Sequence, residues 1–116
     1  CRAIVAKGGK VAVMDRDEEK GTELVAELGE ENAFFTMCDV TDEASVEDAV
    51  EAIMVKFGRI DGNVNCAGGL DPFAGPTVDI EGAPHSLAAF ARTIQLNIIG
   101  SFAVLSKCAA KMALNE

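Results

Sequence analysis

Short apolar runs alternate with amphipathic stretches along this chain, and this alternation limits the folds that it can adopt. Residues 11–14 are apolar at every position and end in Asp15, which is typical of a strand covered on both faces. Glu18–Leu28 follows as an amphipathic helix with its acidic residues first. Residues 33–38 repeat the apolar run and end in Asp39. The pattern predicts an α/β fold with a parallel sheet and right-handed crossovers.

The second half of the chain continues this pattern around a long loop. Thr41 is predicted to cap a helix whose apolar residues recur at steps of three and four until Gly58. Residues 60–66 are predicted as a third strand, although Asn63 and its neighbours are poor strand formers. Residues 67–85 contain all three prolines and no periodicity, which predicts a functional loop.

Two helical stretches follow this loop. Ser86 is predicted to cap a helix over residues 87–95, and a second helix is predicted over residues 98–114. A polar residue, Asn97, lies at the junction between them. The predicted apolar stripe of the second helix is Phe102, Leu105, Ala109 and Met112.

Charge and composition exclude several kinds of partner. The 116 residues suit one domain, and 19 acidic against 10 basic residues give a net charge of −9 without a Lys/Arg cluster. We therefore expect no nucleic-acid partner and no membrane association. The four cysteines form no C-x-x-C pair, and His85 is the one histidine, so we expect reduced, buried thiols in a cytosolic protein and no metal site.

Candidate ligand-binding residues follow each predicted strand. Asp15 can accept both hydrogen bonds from a ribose diol, or it can simply cap the next helix. Arg16 beside it can stack on adenine or pair with a 2′-phosphate. Asp39 and Val40 can receive an adenine edge, and the alternative for Asp39 is again a helix-start acid.

The third predicted strand ends in small residues, Asn65-Cys66-Ala67-Gly68. Such a turn lets a flat polar group lie against the main chain, although a plain glycine turn explains it too. Because parallel strands bind ligands at their carboxyl ends, these candidates together predict one cofactor site.

Four motifs resemble those of the short-chain dehydrogenase/reductase family: Asp15, Cys38-Asp39-Val40, Asn65-Cys66-Ala67-Gly68 and Asn97-Ile98-Ile99-Gly100. Within the family, the loop and helix from residue 82 through residue 116 are most similar to the 3-hydroxyacyl-CoA dehydrogenase type 2 branch. The resemblance implies a Rossmann-like three-layer α/β/α fold with a parallel sheet. Residues 1–116 would be part of a dinucleotide-binding domain whose first strand and C-terminal part are missing.

The resemblance also implies roles for individual residues. Asp15, with Arg16 beside it, would bind the adenosine ribose and select NAD over NADP. Asp39 and Val40 would contact adenine. The central cofactor floor would be formed by Asn65, Cys66, Ala67 and Gly68. Asn97 would be the catalytic asparagine, which orders a water in a proton relay through its backbone.

The resemblance implies NAD-dependent oxidation of a secondary alcohol to the ketone. The most similar branch of the family indicates a 3-hydroxyacyl-CoA as this alcohol. The family further implies a homotetramer in the cytoplasm or the mitochondrial matrix. The glycine-rich pyrophosphate turn of the family would precede residue 1, and its Ser and Tyr-x-x-x-Lys would follow residue 116. Because the chain contains no tyrosine, we expect this piece to be inactive alone. Because the missing first strand and helix would leave apolar sheet edges exposed, we also expect it to be poorly stable or associated.

Two other classes of protein remain open from the residues. A non-catalytic nucleotide-binding or interaction module would use the same half-site without chemistry. A phosphoacceptor receiver domain has a similar length, and Asp15 and Asp17 suggest its acidic pocket, but the helical end of the chain offers no strands for its Thr and Lys.

Overall fold

The structure is a computed structural model that describes residues 1–115, so Glu116, part of the C-terminal resemblance, lies outside the described residues. The elements are α1 (Arg2–Val5), β1 (Val11–Asp15), α2 (Glu18–Leu28), β2 (Ala33–Met37), α3 (Glu43–Phe57), α4 (Leu87–Ile94) and α5 (Ser101–Met112). A π-helical turn, Gln95–Gly100, joins α4 to α5. The predicted order of helices and of the first two strands is therefore confirmed.

The sheet of the described residues is a parallel pair connected by α2. β1 pairs with β2 in a register that runs from Val11 opposite Ala33 to Asp15 opposite Met37. Gly21 of α2 is buried against the ring of Phe35, and a Cβ at this glycine would overlap the ring. This close approach lets α2 lie flat on the sheet, and the α/β class with a parallel sheet is confirmed.

The predicted third strand is wrong. Residues 60–66 form no strand, and within the described residues the sheet has only β1 and β2. A strand in a parallel sheet needs a neighbour to satisfy its backbone groups. Doubly wound sheets have the strand order 3-2-1-4. If β1 and β2 are strands 2 and 3 of such a sheet, this segment would take the place of strand 4. Its neighbour would be strand 1, and no described residue before β1 forms a strand.

Residues 60–66 are held by side-chain hydrogen bonds, not by backbone pairing with the sheet. The Asn115 Nδ2 donates to the Ile60 carbonyl at 2.6 Å, and the Asn65 Nδ2 donates to the Ser101 carbonyl at 3.2 Å. Ile60 is buried, whereas Val64 is exposed. The segment is thus tied to α5 and the residues that follow it, and its backbone is not paired with the sheet.

The main hydrophobic core lies between α3, α5 and the sheet. The predicted apolar stripe of α3 is confirmed, and its fully buried members include Val46 and Val50. The helix cap differs from the prediction: the carboxylate of Asp42, not the Thr41 hydroxyl, accepts the Ala44 N–H at 3.1 Å. Gly58 ends the helix in the left-handed conformation, with φ of 78°.

The two predicted C-terminal helices form one long helix. The predicted junction at Asn97 is a π-helical turn rather than a break, and Ser86 caps the helix as predicted, with its Oγ 3.3 Å from the Ala89 N–H. Most of the predicted stripe of α5 is exposed: Phe102 is 66% exposed and Leu105 48%, and only Met112 of the stripe packs against the core. The buried residues of α5 are instead Val104 and Cys108, which pack against α3. Because α5 is apolar on more than one face, periodicity could not choose between them.

This long helix, Leu87–Met112, has the length and apolar composition of a membrane span. Its most apolar window has a mean hydropathy of 1.4 and is 17% buried. Yet α5 packs on α3, where Lys107 and Lys111 pair with acidic residues. These are the contacts of a helix packed within an α/β domain. The exposed apolar surface accompanies a radius of gyration of 17.0 Å, against about 13 Å for a compact chain of this length.

Candidate functional site

The carboxyl ends of β1 and β2 lie side by side and present two acidic residues. The Cys38 N–H donates to the Asp15 carbonyl at 3.0 Å, which places Asp39 next to the end of β1. The exposed Asp15 carboxylate accepts the Asp17 N–H on Oδ1 at 3.0 Å. Its Oδ2 has no hydrogen-bond partner among the described residues. Asp15 lines a surface depression together with Arg16, Asp17 and the first two residues of α2. A carboxylate with a free oxygen here can accept hydrogen bonds from a ligand.

Asp39 is held firmly by the residues that follow it. Its Oδ1 accepts both the backbone N–H of Thr41 at 2.9 Å and the Thr41 hydroxyl at 2.7 Å. Its backbone N–H donates to the Ser45 Oγ at 2.9 Å. These hydrogen bonds from Thr41, with the nearby Arg16 charge, lower the pKa of the Asp39 carboxyl below its usual value. Asp39 is therefore an anion in a fixed orientation at neutral pH.

Arg16 reaches from the end of β1 to the end of β2. Its guanidinium NH1 lies 3.6 Å from the Asp39 Oδ2, and its side chain is 67% exposed. The edge thus carries two carboxylates and one guanidinium within a short stretch of surface. An adenosine bound here would meet charges of both signs.

Val40 connects this acidic edge to the long helix. A Cβ at Gly100 would lie 2.7 Å from the Val40 Cγ2 and 3.0 Å from the Val40 carbonyl oxygen. Only glycine therefore permits this approach of the π-helical turn to the chain after β2. The Gln95 Nε2 adds a long hydrogen bond of 3.4 Å to the Thr41 carbonyl.

Asn97, in the π-helical turn, binds the loop that follows the 60–66 segment. Its Oδ1 accepts the Gly69 N–H at 3.0 Å, and its Nδ2 donates to the Gly69 carbonyl at 2.7 Å. The same Nδ2 donates to the Thr93 carbonyl at 2.8 Å. The amide is fully used by the protein, so any chemistry at Asn97 would go through its backbone.

The predicted floor residues are open to solvent. Cys66, Ala67 and Gly68 are exposed, as is Asn65, whose amide is tied to α5. A Cβ at Gly68 would lie 2.6 Å from the Asn97 Oδ1, so a larger residue would push the amide away from Gly69. The structure therefore brings Gly68 and Asn97 together and ties Asn65 to the start of α5.

Sequence reasoning missed a second anchor of this loop. The Asp71 carboxylate, 7% exposed, accepts from the Arg92 Nε at 2.6 Å and from the Phe73 N–H at 2.9 Å. The Asp71 N–H donates to the Thr93 Oγ1 at 3.3 Å. The Arg92 guanidinium lowers the pKa of the Asp71 carboxyl. The signal in the sequence was the Asp71-Pro72-Phe73 turn pattern, in which the acid bonds its own backbone two residues on.

The cysteines differ from the prediction of buried thiols. Cys38 and Cys108 are buried, and burial raises the pKa of both thiols, but Cys1 and Cys66 are exposed. All four are free. No cluster of three or more His, Cys, Asp or Glu side chains that could hold a metal ion is found among residues 1–115.

Comparison with known proteins connects these features to one family. The family model described as short chain dehydrogenase matches residues 1–116. Short-chain dehydrogenase reductase 5 of Arabidopsis thaliana is 34% identical over 96% of this chain and 40% of its own length. 3-hydroxyacyl-CoA dehydrogenase type-2 of Drosophila melanogaster is 36% identical over 97% of this chain and 44% of its own length.

Solved structures show the same fold. The serine dehydrogenase of Escherichia coli superposes with a TM-score of 0.77 at 26% identity, over 97% of this chain and 48% of that one. The NADPH-dependent 3-quinuclidinone reductase of Rhodotorula rubra gives 0.77 at 30% identity, over 94% and 40%. A closed form of serine dehydrogenase complexed with NADP+ gives 0.76 at 26% identity, over 96% and 42%. This chain spans less than half the length of each protein compared.

Proposed function

Because this chain belongs to the short-chain dehydrogenase family, we propose that the protein containing it is an oxidoreductase that moves a hydride between a nicotinamide nucleotide and a secondary alcohol or ketone. The observation that carries the proposal is the Asp15 carboxylate, exposed at the carboxyl end of β1 with one oxygen free. Dinucleotide-binding folds hold the adenosine ribose with an acid at this place.

The residues present fit a nicotinamide nucleotide. Asp15 supplies an acceptor for the ribose, and Val40 offers an apolar side chain beside Asp39 for adenine. Gly68 is exposed and has no side chain, so a flat group can lie against its backbone. The bound nucleotide would supply or accept the hydride, and the chain would bind and orient it.

Asn97 is proposed to act through its backbone. Its amide holds Gly69 and Thr93, so the side chain fixes the π-helical turn relative to the floor. A carbonyl held in this way can keep a water in one position for proton transfer. The serine, tyrosine and lysine of such a relay are proposed to lie elsewhere in the intact protein, since this chain contains no tyrosine.

NAD is the proposed nucleotide, because a carboxylate at the ribose repels a 2′-phosphate. The names of two similar structures point instead to NADPH and NADP+. The Asp15 charge would act directly at the ribose 2′ position, where the two nucleotides differ, and it therefore favours NAD. A 3-hydroxyacyl-CoA is the proposed substrate, supported by relatives of that name at 36% and 34% identity. A homotetramer in the cytoplasm or the mitochondrial matrix is proposed with it.

The proposal is tested by nucleotide binding and turnover of the intact protein. Asp15→Ala should weaken NAD binding at least tenfold, about 1.4 kcal/mol, because the ribose loses a charged acceptor. Glu23→Ala, at an exposed acid of α2 outside the depression, is the matched control and should bind as wild type. Equal NAD affinity of the Asp15→Ala variant and wild type would contradict the proposal.

A second candidate is a nucleotide-binding module without catalysis, which the lack of tyrosine in this chain favours. The same titration separates the two. NAD binding with turnover of a 3-hydroxyacyl-CoA by the intact protein supports the dehydrogenase. NAD binding without turnover of any secondary alcohol supports the module.

A further inference from the structure

We propose that Asp39 sets the nucleotide preference of the site by holding the Arg16 guanidinium away from the ribose 2′ position. The inference rests on the proposed function, because it concerns the nucleotide that Asp15 would bind. It adds a role for a pair of side chains, Arg16 and Asp39, that join the ends of β1 and β2.

Asp15 and Arg16 have opposite effects on a 2′-phosphate. The Asp15 carboxylate repels it, whereas a guanidinium offers several donors in a geometry that suits phosphate oxygens. Since both residues line the same surface depression at the end of β1, both act on the same region of the bound adenosine. The preference of the site therefore depends on where the Arg16 side chain is held.

Asp39 is built to hold it. Thr41 occupies the Asp39 Oδ1 with two hydrogen bonds, and the Asp39 N–H is bonded to the Ser45 Oγ. The carboxylate cannot turn freely, and its Oδ2 is the atom that faces Arg16, at 3.6 Å. The Asp39 carboxylate is thus fixed by its hydrogen bonds, whereas the Arg16 side chain is largely exposed.

The ion pair between Arg16 and Asp39 is weak, so a change at Asp39 can release Arg16 and alter the nucleotide specificity. The arginine is 67% exposed, and an ion pair in contact with water gains little free energy. Loss of the Asp39 charge would free the guanidinium to pair with a 2′-phosphate. Asp39 thus keeps the edge suited to an unphosphorylated ribose in two ways, through its own negative charge and through its hold on Arg16.

The test uses the intact protein and two probes that differ only at the 2′ position, AMP and adenosine 2′,5′-bisphosphate, titrated by calorimetry. Wild type should prefer AMP. Asp39→Asn should raise the affinity for the bisphosphate relative to AMP roughly fivefold, because Arg16 is released from a weak, exposed ion pair and gains a charge-assisted partner. Adding Arg16→Gln to this variant should remove the gain.

Glu23→Gln is the charge-matched control. It removes one exposed negative charge from α2, outside the depression, and leaves the Arg16–Asp39 pair intact. Its ratio of the two affinities should stay within about twofold of wild type, since an exposed charge without a paired phosphate contributes little. A gain equal to that of Asp39→Asn would show a general charge effect and overturn the inference.

Arg16→Gln in the wild-type background gives an answer even if the Asp39 variant does not fold. It should leave the ratio of affinities within about twofold of wild type, because the held arginine does not reach the phosphate. A selective loss of bisphosphate binding would overturn the inference. If neither probe binds wild type, the proposed function fails as well; if AMP binds and Asp39→Asn leaves the ratio unchanged, only this inference fails.

Discussion

The side-chain amide of Asn97 is hydrogen-bonded to both polar backbone groups of Gly69. Its Oδ1 accepts the Gly69 N–H at 3.0 Å, and its Nδ2 donates to the Gly69 carbonyl at 2.7 Å. A bidentate contact of this kind fixes the loop residue in position and in rotation. One side chain thereby sets the distance between the π-helical turn and the floor of the site.

Asn97→Ala should release this loop. The Gly69 amide loses its hydrogen-bond acceptor, so its hydrogen exchange should accelerate, and the free energy of unfolding should fall by about 1–3 kcal/mol. Exchange measured by mass spectrometry and unfolding in urea check both effects. Gln95→Ala is the control, because that amide makes one long hydrogen bond of 3.4 Å and should change little.

Gly68→Ala should disturb the same contact from the other side. The new Cβ would lie 2.6 Å from the Asn97 Oδ1, so the amide must move and its bond to Gly69 weakens. We expect a loss of about 1–3 kcal/mol in stability. Gly62→Ala adds the same methyl group where nothing lies within 4 Å. Similar unfolding free energies of the two variants would contradict the contact.

The core of α3 offers a matched pair of valines. Val50 is 1% exposed and packs in the main cluster, whereas Val55 on the same helix is 88% exposed. Val50→Ala should lower the free energy of unfolding by on the order of 2 kcal/mol, through lost burial and a cavity. Val55→Ala should change it by less than about 0.5 kcal/mol in chemical denaturation.

The Asp71–Arg92 pair should make stability depend on acid. Arg92 lowers the folded-state pKa of Asp71 below its unfolded value of about 3.9. The stabilising contribution is therefore complete above the unfolded pKa and is lost as the pH falls through the folded pKa. The stability difference between wild type and Asp71→Asn should be constant from about pH 6 to 8 and shrink below about pH 4. A difference independent of pH down to acid unfolding would refute this linkage.

The 116-residue chain alone should associate in solution. Phe90 and Phe102 are exposed on the long helix, and β1 and β2 each have an unpaired edge within the described residues. Exposed apolar surface and open strand edges favour self-association. Sedimentation velocity should show species larger than the 12.1 kDa monomer, and cooperative unfolding of a pure monomer would contradict this.

The local elements of this protein follow from sequence patterns that act over a few residues. The β1–α2–β2 unit was predictable because both faces of each strand and one face of α2 are apolar, and Gly29 and Gly58 end helices by local backbone geometry. The positions of Asp15 and Asp39 at one sheet edge were predictable too, since parallel strands bring their carboxyl ends together. The roles given to these residues stay predictions.

Tertiary structure decided what depends on distant neighbours. The segment 60–66 has strand-like length, but within residues 1–115 no strand lies beside it to accept its hydrogen bonds, so it is not paired with the sheet. The apolar residues of α5 allow several faces, and packing on α3 chose Val104 and Cys108. The contacts of Asn97 with Gly69, and of Arg16 with Asp39, join residues far apart in sequence. No pattern over a few residues encodes them, because they arise only when separate elements pack together.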